Sequence, residues 1–73
     1  MNLTNKKVKI IIENFTEKRR KDLSQKFIKF IEENQYKIFT CKQEKKYIGT
    51  ELYTFKEDNT WLFHVSDLRR VKL

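Results

Sequence analysis

Proline and alanine are missing altogether from the 73-residue chain, and glycine and cysteine occur once each. A single cysteine, Cys41, closes no internal disulfide and builds no zinc cluster, and with one histidine, His64, there is no histidine pair for a metal. One glycine, Gly49, excludes a glycine-rich phosphate loop and reads instead as a strand bulge or a point of close packing. No apolar run exceeds three residues, as in Ile10-Ile11-Ile12. A membrane span needs ~20 such residues and a signal peptide about 7 to 15, so neither is expected and a cytoplasmic location is. Acidic residues are scattered rather than paired. A Cys41 and His64 nucleophile pair would take its cysteine from mid-strand, where the residue is usually filler, so no enzyme, cofactor or metal is expected.

What the chain does have is aromatic and basic. Hydrophobic residues make up 38% and aromatics 14% of it, enough to nucleate a core where a disordered tail of similar charge would have nothing to bury. A chain of this length buries only roughly 60 to 65% of its unfolded surface. With no disulfide or metal to support so thin a core, a homodimer or a protein partner is the expected source of further stability.

Reading along the chain, residues 1–7 are polar and unpatterned and are expected to fray. Val8, Ile10 and Ile12 alternate onto one face of a first strand over 8–13. Thr16 is a natural N-cap for a helix from Glu17 to about Glu33, with Leu23, Phe27, Phe30, Ile31 and Asn34 on one stripe. A second strand is predicted over 36–42, a charged turn over 43–46, and two more strands over 47–56 and 60–65. Asp58-Asn59 reads as the tight turn between those last two. Ser66-Asp67 caps a short turn through Leu68 and Arg70, and Val71-Lys72-Leu73 either adds an edge strand or frays. The whole is one α+β domain spanning 1–73, with one amphipathic helix packed on a three- to four-stranded, mostly antiparallel sheet in the order β-α-β-β-β.

Two features exceed what folding alone requires. Pairing the hairpin through a two-residue turn sets Tyr53 opposite His64 and Phe55 opposite Leu62. One face then carries Leu52, Thr54, Trp61, Phe63 and Val65, and the other Tyr53, Phe55, Leu62 and His64. One helix covers one face, so Tyr53, Phe55, Leu62 and His64 are expected at a dimer or partner interface, or beneath stacked bases. A slip of one residue would exchange the faces of one strand.

The second feature is charge. Seventeen Lys and Arg against ten Asp and Glu give +7 and a pI near 9.7, the balance of a protein that meets an anionic partner. Lysine supplies thirteen of those cations, and in a chain rich in Ile, Asn, Phe and Tyr part of that excess records codon composition. The four arginines are more informative, because they form two adjacent pairs, Arg19-Arg20 and Arg69-Arg70. Lys18, Arg19, Arg20 and Lys21 crowd the start of the predicted helix and Glu32 and Glu33 its end, against the preference of the helix dipole. Cations beside free amides suit a phosphate. The expectation is therefore a small basic nucleic-acid-binding protein, regulatory and of the kind mobile elements encode. Lys18, Arg19, Arg20, Lys21, Arg69 and Arg70 would sit on the phosphate backbone of DNA or RNA. The rival is a protein-binding module, a small inhibitor or adaptor, docking through the aromatic strand face.

Overall fold

The structure, a computed structural model, describes residues 3–47 and 50–72, with the backbone alone at 44–47 and 50. The element order is β1 (Lys7–Ile10), α1 (Glu17–Arg20), α2 (Gln25–Glu33), β2 (Phe39–Tyr47), β3 (Thr50–Phe55), β4 (Phe63–His64) and β5 (Leu68–Arg70). Single turns of 3-10 helix at Ile12–Asn14 and Val65–Asp67 join β1 to α1 and β4 to β5. The class is α+β, with one wholly antiparallel sheet of five strands in the order β4-β3-β2-β1-β5. The added strand is β5, which pairs with β1 through Val8 with Arg70, Lys9 with Arg69 and Ile10 with Leu68.

That order forces the sheet to curl. β4 and β5 hold opposite edges, which in a flat sheet stand about 19 Å apart at ~4.8 Å per strand step. The chain nevertheless passes from His64 to Leu68 through one 3-10 turn, which advances only ~2 Å per residue. Only a sheet rolled toward a half-closed barrel brings its edges within that reach, and the Ile11 N–H donating to the Asp67 carbonyl at 2.9 Å seals the junction.

Within the segment expected to fray, residues 3–7 are tied down. Leu3 is buried and its N–H donates to the Tyr53 hydroxyl at 3.0 Å. Asn5 takes a left-handed φ of 65°, which asparagine tolerates better than most residues. This turn lets Asn5 N–H reach the Cys41 carbonyl at 2.8 Å and Cys41 N–H reach the Lys6 carbonyl at 2.9 Å, extending the β1–β2 ladder outward.

The single long helix is two. Thr16 caps as expected, its hydroxyl accepting from Arg19 N–H at 3.3 Å. After one turn Ser24 swings to an extended ψ of 150° and caps a new helix, accepting from Phe27 N–H at 3.2 Å. A serine competing for the backbone in this way ends one helix to start another. The break eases the dipole conflict at one end only: Lys18, Arg19 and Arg20 no longer start a long helix, while Glu32 and Glu33 still end α2.

The hairpin differs by the one-residue slip. Tyr53 pairs with Phe63 and Leu52 with His64. The connection is a seven-residue loop rather than a two-residue turn, because Lys56 N–H continues on to the Thr40 carbonyl at 2.9 Å and Asp58 folds over Thr60 N–H at 3.0 Å. Residues 43–46, expected as a turn, continue β2, with a bulge between Gln43 and Lys45. Gly49 lies outside the described residues.

The slip decides where the aromatics go. Tyr53, Phe55 and Phe63 share the inner face, and Tyr53 and Phe55 are 0% exposed, so they form core and not a partner face. Phe39, Phe55 and Phe63 stack across three strands at centroid spacings of 4.2 and 4.8 Å. From α2, Phe27 meets Phe63 at 5.4 Å and Trp61 edge-on at 5.3 Å, while Ile31 is fully buried. Aromatic pairs of this kind each add ~0.5 to 1.5 kcal/mol beyond their burial. The surplus of aromatics thus goes into the core of this short chain.

Candidate nucleic-acid interface

β1 and β5 come from opposite ends of the sequence and lie side by side in the sheet. Val8, Ile10 and Leu68 point inward and are buried. Alternation then puts Lys9 and Arg69 directly opposite each other on the outer face. Like charges so paired oppose the sheet by ~0.2 to 1 kcal/mol.

Beyond this pair, Val71 N–H donates to the Lys7 carbonyl at 2.8 Å, which holds the tail of β5 against the lead-in to β1. Between them Asn5, Lys6, Lys7, Arg70, Val71 and Lys72 line an open concavity of about 410 Å³. Residues 3–10 and 68–72 together carry six cations and no carboxylate. The other sixty residues hold eleven cations and ten carboxylates, so nearly all the excess charge of the chain is gathered here.

Lys6, Lys9, Arg69, Arg70 and Lys72 make no ion pair with a described residue. Lys7 differs. Its ammonium donates to the Thr40 hydroxyl at 2.6 Å, and Thr40 in turn gives its N–H and hydroxyl to the Glu57 carboxylate, each at 2.8 Å. Burial works to raise the Glu57 carboxyl, but these bonds and the Lys7 charge outweigh it and hold the group below the usual carboxylate value. One ionised carboxylate therefore borders the basic surface at Lys7.

Compared with known families, curated proteins and solved structures, the chain shows no significant similarity to any of them.

The two arginine pairs separate by role. Arg69 and Arg70 are exposed on β5. Arg19 instead clasps Asp67 with both guanidinium ends, at 2.8 and 2.6 Å, donates to the Asn14 carbonyl at 3.3 Å, and lies over the Phe15 ring at 4.4 Å. Arg20 donates to the Phe15 carbonyl at 2.8 Å and reaches Glu32 at 3.5 Å. Arg19 ties α1 to the turn before β5, and Arg20 ties it to α2. Lys18 and Lys21 are exposed beside them, on a helix of one turn.

Leu62 and His64 are exposed, as expected, but without the Tyr53 and Phe55 that were to complete their surface. Cys41 is buried, and burial, with the Glu57 charge, pushes its thiol up to about 11, so at neutral pH it carries no nucleophilic thiolate. Among the described residues no three of His, Cys, Asp and Glu gather as a metal set, and no helix is long and apolar enough to cross a membrane. Lys6, Lys7, Lys9 and Lys72 were missed in the sequence because lysine there is common and its pairing with β5 is not local.

Proposed function

We propose that the chain is a small, basic, non-enzymatic nucleic-acid-binding protein that holds the phosphate backbone through the outer surface of β1 and β5. The contacts are Lys6, Lys7, Lys9, Arg69, Arg70 and Lys72. The observation that carries this reading is the segregation of charge, six cations without a carboxylate on two adjacent strands, together with a Lys9–Arg69 pairing that folding stability would not select. A polyanion laid across the pair turns that repulsion into attraction and releases its own counterions. Phosphate contacts fix position without reading sequence, so little base preference is expected.

The test is fluorescence anisotropy with a labelled mixed-sequence oligonucleotide over a range of salt. With Lys7 partly neutralised, about five effective contacts give a log–log slope near −4 to −5, and Lys9→Gln with Arg69→Gln should flatten it by nearly two. Lys18→Gln with Lys21→Gln should change it far less. Undetectable binding at low salt refutes the proposal. The rival reading, a protein-binding module, loses Tyr53 and Phe55 to the core and keeps the sheet edge as its docking surface.

A further inference from the structure

We infer that the occupant of the β1–β5 surface is double-stranded nucleic acid, with a backbone phosphate seated in the concavity between Asn5–Lys7 and Arg70–Lys72. This rests on the nucleic-acid reading above and narrows it.

The first argument is the chemistry of the lining. Among the described residues four cations and one side-chain amide line the space, and neither a carboxylate side chain nor an aromatic ring does. At about 410 Å³ it is many times the ~30 Å³ share of one water, so a phosphodiester enters with part of its hydration. The backbone of both walls is pinned, the Asn5 turn by its bond to Cys41 on β2 and Val71 by its bond to Lys7, so the stems of the four cations are gathered before any ligand arrives. A backbone already in place leaves only the side chains to order on binding.

The second argument is where the rings are. Proteins that bind single strands draw much of their affinity from bases stacked on aromatic side chains beside a basic groove. Here Phe15, Phe39, Tyr53, Phe55 and Phe63 are buried, and Phe27, Phe30 and Trp61 pack onto them. Tyr36 is 82% exposed in the α2–β2 connection and does not line the concavity. A surface whose described residues offer cations and no ring gains most from dense phosphate. Duplex supplies one charge per ~1.7 Å of axis, more than a single strand of the same length.

The experiment measures binding of the full chain to a 20-base-pair mixed-sequence DNA, the matching RNA duplex, and each component single strand, over the same salt series. Both duplexes should bind at least about fivefold tighter than their strands at low salt, with the steeper salt slope expected of the denser polyanion. Arg70→Gln with Lys72→Gln should reduce duplex affinity by at least about tenfold in the same buffer while leaving the thermal midpoint unchanged. Equal or tighter binding of single strands overturns the duplex assignment and leaves the nucleic-acid reading standing. Inorganic polyphosphate that displaces duplex at equal phosphate concentration overturns it too. Failure to bind any of these overturns both.

Discussion

Replacing Arg19 with leucine would test whether the helical insertion is clasped to the barrel. The Asp67 side chain is 5% exposed and that of Arg19 39%, so the pair lies between a surface ion pair and a buried one. Removing one partner of a buried pair costs about 3 to 5 kcal/mol and of a surface pair ~0 to 1. Asn14 still donates to the Asp67 carboxylate at 3.3 Å and water reaches the Arg19 side, which discounts the expected loss to about 2 to 3 kcal/mol. In a domain of this size that lowers the thermal midpoint by roughly 10 to 20 °C. Urea unfolding followed through Trp61, which packs edge-on against Phe27 of α2, reports the same opening locally. Burial acts to raise the Asp67 carboxyl, and the Arg19 hydrogen bonds and charge overcome it, so the folded value lies below the ordinary 3.8. The stability from this pair is therefore full above pH 4 and is lost as pH falls through the depressed folded value, so the penalty of Arg19→Leu should shrink on acidification. Replacing both partners, Arg19→Leu with Asp67→Leu, should recover much of the loss, because no charge is left buried alone. A single-variant penalty under about 0.5 kcal/mol, or one unchanged between pH 7 and 3, would refute the clasp.

Arg69→Glu should move stability and binding in opposite directions: relief of the Lys9–Arg69 repulsion raises the unfolding free energy by ~0.2 to 1 kcal/mol, while duplex affinity falls and the salt slope flattens. Equal losses in both would mean that Arg69 serves the fold. Ser24→Ala removes the cap of α2 and should cost ~0.5 to 2 kcal/mol in urea titration, with circular dichroism distinguishing lost helix from the fusion of α1 with α2. Cys41 should resist a thiol reagent at pH 8 in the native chain and react at the ordinary rate in urea; rapid native labelling would show that the core opens at β2.

The local parts of the fold were legible where one residue's chemistry settles them. Thr16 caps a helix because its hydroxyl has an orphan amide to meet, and Val8 and Ile10 alternate because a strand alternates. Ser24 carries the same signal as Thr16, but it sits inside an unbroken stripe of Leu23, Phe27, Phe30 and Ile31, so periodicity concealed the second cap. The hairpin register was not legible at all. Asp58-Asn59 offers a good tight turn, and what overrides it is distant: Glu57 is held by Thr40, and Phe63 is drawn into the stack with Phe39 and Phe55. One residue of slip then turned a supposed docking face into the core.

The basic surface shows the same limit in charge. Windows along the chain give +2 over residues 1–15 and zero over 51–73, since Glu51, Glu57, Asp58 and Asp67 cancel Lys56, Arg69, Arg70 and Lys72. The cancellation is an artefact of adjacency in sequence. Asp67 is taken up by Arg19, and Glu57 reaches back to Thr40, so neither pairs with the end of β5. Once β5 is laid beside β1, the +2 and the zero become six cations with one carboxylate at the border. That conversion depends on the 3-10 turn at Val65–Asp67, which carries the chain from one edge of the sheet to the other and holds Arg19 through Asp67. The turn that sets β5 against β1 is thus the one Arg19 clasps, and a variant that opens the clasp should lose both stability and the charge-dense surface, whereas substitutions at Arg69 or Arg70 should lose the surface without loss of stability.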